Sequence, residues 1–268
     1  MRQSIDLNCD LGEGMGSDKA LLELVSSANI ACGGHAGDQQ TMSACVREAS
    51  NPAVAIGAHP GYCDPENFGR RRQDLSAEET AQVIIHQVSQ LRLICQQHKA
   101  TLSHVRAHGA LGNLSDSNDV AARTLATTIA EQFPELAIMT LGHSAAERAA
   151  KACGLKVVRQ FFADRAYDDE GQLVPRSVAG SVIHNRSDIM KRLLGALDSD
   201  KLVSLTGKTI AIGFDSICVH GDTPGALALA EAIRTQLEQN GIAIRPYNRA
   251  QQPGVIQPPS TSQRSKPQ

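Results

Sequence analysis

The sequence predicts an α/β fold in which parallel strands close, or nearly close, into a barrel with helices outside. Three observations predict it. Strand-like and helix-like patterns alternate through seven or eight units, which implies parallel strands joined by right-handed crossovers. Five strand-like segments end in His, Asp or Glu beside glycine, and a barrel builds its site by bringing such ends to one rim. The length of 268 residues exceeds the usual size of a domain but suits an α/β barrel.

The elements follow in order. Ile5-Asp6-Leu7-Asn8-Cys9-Asp10-Leu11 alternates apolar and polar residues, so Asp6, Asn8 and Asp10 share one strand face, and Gly12-Glu13-Gly14 follows. Residues 18–26 read as a short helix, and Ser27 to His35 as a strand that aligns Asn29, Ala31, Gly33 and His35. Gln39 to Ala49 is helical, with Asp38 as its N-cap. Ala53 to Pro60 is a strand ending at His59. Ser76-Ala-Glu-Glu79 is a capping box that opens a long amphipathic helix reaching about His98.

The most informative stretch is His104-Val-Arg-Ala-His108-Gly-Ala-Leu-Gly-Asn113. Read as a strand, it turns His104, Arg106 and His108 to one face. That is costly in an ordinary core and tolerated where a strand lines a polar cavity. Beyond it, Asp119 to Gln132 is a helix, Ser144-Ala-Ala-Glu147 opens another that stops at Gly154, and Lys156 to Phe162 is strand-like. Asp188 to Leu197 is helical, Thr209 to Asp222 repeats the polar-ended strand, Pro224 to Asn240 is the last long helix, and Ile242 to Pro246 a final short strand. No linker divides the chain. Residues 1–250 are expected to form one barrel domain, and residues 251–268, rich in Gln, Pro and Ser, a disordered tail.

Composition narrows the function. A net charge of −2 and aromatic residues at only 3% argue against nucleic acid or an anionic membrane as partner. No apolar run approaches the ~20 residues of a membrane span. Seven scattered cysteines with no C-x-x-C spacing, behind a start that lacks an apolar signal-peptide core, predict free thiols in the cytoplasm and no structural zinc. Thr206-Gly207-Lys208-Thr209 does not make a phosphate-binding loop. The earlier glycine that the pattern needs is Leu202, and the segment leads into a strand instead of a helix.

His35, His59, His104, His108 and His220, with Asp6, Asp10, Asp38, Asp64 or Asp222, form a pool of metal donors. Their spacing matches no specific metal signature, and cavity histidines serve equally as donors to a carboxylate or phosphate. His86, His98, His143 and His184 fall on helical or loop patterns and are expected at the surface or in caps. Asp164 and Arg165 stand at a strand end within reach of a pocket.

The motifs IDLNCDLGEG, SSANIACGGHAGD, IGAHPGY, NFGRR, HGALGN, FADRAY and VHGDTP, in order between residues 5 and 224, make the chain resemble the LamB/YcsF family. The resemblance implies a distorted TIM-like barrel related to the glycoside hydrolases and deacetylases. It implies work as the A subunit of an ATP-dependent 5-oxoprolinase, which hydrolyses 5-oxo-L-proline to L-glutamate with ATP cleavage beside B and C subunits. ATP then enters as co-substrate, with Mg2+, and no tightly bound metal is expected.

Carried onto this chain, the family's acidic strand end is Asp6, Asn8, Asp10 and Glu13, and its glycine–histidine turn is Gly33, Gly34, His35 and Asp38. His59, Arg70, His108, Asn113, Arg165, His220 and Asp222 fall at the other motif positions. The chain departs from the family's usual VKPHGALYN at Arg106, Ala107 and Gly112, and from HPGYPD at Cys63.

Ring opening of a resonance-held lactam, activated by phosphorylation of its oxygen, needs a base for water and donors for phosphate and carboxylate. Asp10 or Glu13 is the expected base. His35, His59 or His108 would stabilise charge or transfer protons, and Arg70, Arg106 and Arg165 would clamp anions. Asp6, Asn8, Asp38, Asn113, His220 and Asp222 complete the expected substrate or phosphate contacts. Two other readings compete: a metal-dependent deacetylase or amidohydrolase on the same fold, and a non-catalytic binding subunit.

Overall fold

The computed structural model describes residues 2–50, 54–222 and 225–247. Its strands are β1 (Ser4–Leu11), β2 (Ser27–Ala31), β3 (Ala55–His59), β4 (Leu102–Val105), β5 (Ala137–Leu141), β6 (Val157–Phe162), β7 (Lys201–Val203), β8 (Thr209–Ala211), β9 (Ser216–Val219) and β10 (Ala243–Ile244). β1 pairs with β2 on one side and β9 on the other, and β9 closes onto β6. The result is a closed parallel barrel of seven strands, β1-β2-β3-β4-β5-β6-β9. β10 lies parallel to the first residues of β1, and β7 and β8 form a separate antiparallel hairpin.

The helices are α1 (Asp18–Leu22), α2 (Gln39–Glu48), α3 (Ala77–Gln97), α4 (Gly109–Ser117), α5 (Asp119–Gln132), α6 (Ala145–Ala152), α7 (Arg186–Ser199) and α8 (Ala226–Gln239). Local chemistry starts them. Ser76 and Glu79 form the reciprocal capping box of α3, Asn118 accepts from Val120 and Ala121 at the start of α5, and Ser144 accepts from Glu147 for α6. Their apolar stripes cover the outward faces of the strands. Leu7, Ile30, Ile56, Val105, Phe161 and Ile217 lie in one core with Val46, Ile84, Leu91, Leu125 and Ile233. Each such side chain contributes about 1.5–3 kcal/mol by leaving water.

Strand alternation sends a different set of residues inward. Ala55, Ala137, Met139 and Val158 form a small apolar plug with Tyr247. Most of the remaining interior is polar and is tolerated because nearly all of it is hydrogen-bonded, with His35 Nδ1 a buried atom that has no partner among the described residues. Asn8 Nδ2 donates to Ser216 Oγ (2.6 Å), while Asn8 Oδ1 accepts from Asn29 (2.8 Å) and Gln160 (3.0 Å). His104 Nε2 donates to Asn29 Oδ1 (2.8 Å). The imidazole fits only because its neighbour across the ladder is Gly57, where a Cβ would sit 2.0 Å from His104 Nε2.

Several sequence expectations change. The stretch beginning at His104 is a strand only to Val105, and α4 starts at Gly109. The chain stays extended between them, because Arg106 N donates to Ala58 O and His108 N to Pro60 O, so the alternation of His104, Arg106 and His108 survives. Thr209 to Asp222 is not one strand but β8 followed by β9, divided where Ile212 N turns back to Asp200 O. The short helix after β1 ends at Leu22, and β10 has two residues. β5 and α4 are elements that the sequence patterns do not predict. Gly207 lies in the turn of the β7–β8 hairpin, where Ser204 N donates to Lys208 O (2.8 Å). Ala53, Pro224 and the tail 251–268 lie outside the described residues.

Candidate active site

The carboxyl ends of the barrel strands bring polar side chains together around Asp10, at the end of β1. Arg106, just past β4, donates through Nη1 to Asp10 Oδ1 (2.6 Å) and through Nε to Gln160 Oε1 on β6 (2.9 Å). Asn29 on β2 also donates to Asp10 Oδ1 (3.0 Å). Burial opposes ionisation of Asp10, but the Arg106 guanidinium outweighs it and holds the carboxyl well below the usual carboxylate range.

Glu13, in the loop after β1, behaves oppositely. Burial first, and the Asp10 carboxylate second, push its pKa up to about 9, so it keeps its proton at neutral pH. Two carboxyl groups three residues apart thus have their pKa values driven in opposite directions, a pattern that separates acid from base roles.

Three histidines close around Glu13. His35 Nε2 lies 3.1 Å from Glu13 Oε1, His108 Nδ1 3.5 Å and His59 Nε2 3.8 Å. The His35 and His108 rings stack at 3.5 Å, and His59 stands edge-on to both. Gly69 (φ +60°) lets the loop pass over this stack, where a Cβ would meet His35 Cβ at 2.7 Å. Burial lowers the pKa of all three histidines, to about 2 for His35, to about 4 for His108, and well below the ordinary value for His59. They are neutral at pH 7.

Backbone carbonyls assign the tautomers. His59 Nδ1 donates to Arg106 O (2.7 Å), which leaves Nε2 a lone pair. His108 Nε2 donates to Phe68 O (2.9 Å), which leaves Nδ1 a lone pair. These two lone pairs face each other at 2.9 Å.

Beside this cluster opens a cavity of about 600 Å³ lined by Asp10, Arg106, His108, Asn113, His220 and Asp222, among others. His220, after β9, is held through Nδ1 by Asp164 (3.2 Å) and stacks on Phe162. Burial tends to raise the Asp164 pKa, but the facing His220 prevails and the carboxyl is lowered. Arg70 and Asp222 pair across the mouth.

Of the residues singled out from the sequence, Asp10, Glu13, His35, His59, Arg106 and His108 meet, with Arg70, Asn113, Arg165, His220 and Asp222 along the cavity. Five candidates do not reach it: Asp6, Asn8, Asp38, His104 and Asp64, the last accepting from Asn67 Nδ2 (2.7 Å) in the loop after β3. Asp6 is buried deeper in the barrel, accepting from Ser26, Ser27 and Ser216. Asn8 belongs to the interior network under Asp10. Asp38 is exposed and caps α2 through Thr41 N, the geometry its N-cap reading requires. Arg165 lines the cavity, but its guanidinium is engaged by Ser181 O and Val174 O. His104 is enclosed below the site.

Arg176 lines the cavity from the irregular stretch before α7, and no sequence signal marks it, because nothing in its neighbourhood has a period. Gln160, the second partner of Arg106, is legible in principle from the alternation Val158, Gln160, Phe162 on β6. The departures Arg106, Ala107 and Gly112 all line the cavity.

Comparison with known proteins gives a consistent answer. The model of the LamB/YcsF family matches residues 5–252. The 5-oxoprolinase A-subunit protein of Nitrobacter hamburgensis is 44% identical over 253 residues, covering 92% of this chain and 99% of that protein. The protein of the same name from Nitrobacter winogradskyi is 43% identical over 91% of this chain and 98% of its own. The crystal structure of the lactam utilization protein from Thermus thermophilus superposes with a TM-score of 0.84 at 37% identity, over 90% of this chain and 99% of the other. With the motif residues assembled at one end of the barrel and matches that run almost from end to end, the chain belongs to the LamB/YcsF family.

Proposed function

We propose that this chain is the A subunit of an ATP-dependent 5-oxoprolinase, hydrolysing 5-oxo-L-proline to L-glutamate with ATP cleavage alongside B and C subunits. The observation that carries the reading is the 44% identity, over nearly the full length of both chains, to a relative bearing that name. The site is chemically suited to it. A cavity of about 600 Å³ is roomy for a small lactam and leaves space for a phosphoryl donor.

In this reading, ATP, its charge screened by Mg2+, would transfer its γ-phosphoryl group to the lactam oxygen and leave as ADP, which makes the ring carbon electrophilic. One water would add there as the C–N bond breaks and the nitrogen takes a proton. A second water would release phosphate from the resulting acyl phosphate to give glutamate. Arg176 and Arg70 at the cavity wall meet the substrate carboxylate and the phosphate. His220 takes the proton of the attacking water. Asp164 holds its Nδ1–H, so Nε2 is the basic nitrogen. The Glu13–His59–His108 cluster answers the charge that develops on the lactam. Asp10, tied to Arg106, is a poor base. It positions the guanidinium instead.

The test is glutamate release from 5-oxoproline in the complex reconstituted with candidate partner subunits. Release that needs ATP, the partners and this chain is the expected result. Release by this chain alone, without ATP, would point to the metal-dependent amidohydrolase reading, which the convergence of Glu13, His35, His59 and His108 favours. No release under any condition would overturn both.

A further inference from the structure

The Glu13–His59–His108 cluster has an electrostatic feature that its own side chains do not resolve. Both histidines are anchored by N–H donation to backbone carbonyls, His59 to Arg106 O and His108 to Phe68 O. Their remaining nitrogens are therefore lone pairs, and they face each other at 2.9 Å with no hydrogen between them. Glu13 Oε1 adds a third donor atom, 3.5 Å from His108 Nδ1 and 3.8 Å from His59 Nε2. Arg106 Nη1 reaches the His59 Nε2 lone pair (3.0 Å), but neither it nor a proton on Glu13 lies between the two nitrogens. Lone pairs that converge in this way are oriented for a shared cation.

We propose that Glu13 Oε1, His59 Nε2 and His108 Nδ1 bind one divalent first-row transition cation, with the cavity side of the ion open to water or substrate. Donors about 2.0–2.2 Å from one ion and about 90–110° apart lie roughly 2.9–3.5 Å from each other. The observed 2.9, 3.5 and 3.8 Å need little adjustment to meet that. Two imidazoles and a carboxylate suit zinc and its neighbours better than magnesium.

The supporting partners that such sites carry are also present. The carbonyls of Arg106 and Phe68 orient the two ligating rings. His35 Nε2 lies 3.1 Å from Glu13 Oε1 and, as the Nε2–H tautomer, would donate to the carboxylate and hold it in place once the ion has displaced the Glu13 proton. His108 lies on the cavity wall, so three protein ligands with an open face describe a catalytic type of site, not a closed structural one. Arg106 Nη1 also reaches His59 Nε2 (3.0 Å), and its charge is already neutralised by Asp10 at 2.6 Å. The cation would displace only that one contact.

The inference does not depend on the 5-oxoproline reading, because its test measures binding and not turnover. Demetallated full-length protein would be titrated with Co2+ and, in parallel, with Zn2+ by calorimetry. The expected result is one equivalent bound per chain, with the intense visible bands of a four- or five-coordinate Co2+ and no thiolate charge-transfer band in the near ultraviolet. Glu13→Gln and His108→Asn should each weaken binding at least about 100-fold. His86→Ala, on the exposed face of α3, should leave it unchanged.

A thiolate band would move the ion to the neighbouring Asp10–Cys218–His220 group and overturn the assignment. Substoichiometric binding, or full binding in both ligand variants, would overturn it as well. Should a variant fail to fold, as judged by circular dichroism, the wild-type Co2+ spectrum and stoichiometry decide alone.

Discussion

Two aspartates on β1 are both sealed from solvent, yet they behave oppositely. Asp6 sits near the amino end of the strand, where its neighbours are the hydroxyls of Ser26, Ser27 and Ser216. Burial dominates there, and its pKa is raised to about 6 despite those hydrogen bonds. Asp10, at the carboxyl end, faces the Arg106 guanidinium and is held well below the usual range. The same residue type, strand and burial therefore give a carboxyl that loses its proton only near pH 6 at one end and one that is ionised well below the usual range at the other. What decides is the charge of the partner, because neutral dipoles only partly offset the loss of water whereas a facing cation exceeds it. The ionised end is the one that borders the cavity.

The largest effect should come from removing the cation that creates the difference. Arg106→Ala leaves Asp10 buried without a counter-charge, at a cost of about 3–5 kcal/mol in unfolding free energy by denaturant titration. If the variant is as stable as the wild type, the ion pair is not what sets Asp10 apart. His220→Asn tests the chemistry at the same rim. In the reconstituted complex it should lower turnover about 10²–10⁴-fold, the worth of a positioned base, with a smaller loss of stability than Arg106→Ala because the Asn amide can still donate to Asp164. Near-normal turnover at saturating substrate would take His220 out of that role.

Asp6 tests the other end. Its folded pKa lies above its unfolded value of 3.8, so its contribution to stability is complete below about pH 4 and is lost as pH rises through about 6. The wild type should lose on the order of 3 kcal/mol from this group across that window. Asp6→Asn cannot ionise, so its melting temperature should depend less on pH between 4 and 7 while glutamate release persists. Parallel pH profiles for the two proteins would refute the assignment. Arg176→Ala should raise the KM for the anionic substrate about tenfold with little change in kcat, as expected of one charge-assisted contact worth about 1.5 kcal/mol. The smallest effect belongs to Asp38→Ala, which removes the α2 cap and should cost about 1 kcal/mol in thermal stability and nothing in activity. A loss of activity there would return Asp38 to the site.

The helices were largely legible because their signals are local. Ser76 with Glu79, Ser144 with Glu147, and Asp38 each act on backbone within one turn of themselves. The strand faces of β1 were legible for a related reason, since alternation depends only on the extended backbone. α4 was hidden because the chain between Val105 and Gly109 stays extended without belonging to a strand, held by Ala58 O and Pro60 O from another part of the sequence. β9 merged with β8 because both are apolar and alternating, and only barrel closure onto β1 and β6 separates them.

For the site, alternation along the chain already marks which residues stand at the ends of barrel strands, and the order of the motifs marks the family. Alternation does not rank those residues. Asp6, Asn8 and Asp10 share one face and look equivalent along the chain. Their depth in the barrel, and whether Arg106 or a serine hydroxyl stands opposite, is decided by the register of β1 against β2 and β9. Glu13, His35, His59 and His108 span almost a hundred positions with no ligand spacing, and only closure of the barrel brings their donor atoms together. Side-chain periodicity is a property of a few neighbouring backbone units. Charge pairing and ligand convergence are properties of distance in space, and that distance exists only once the chain has folded.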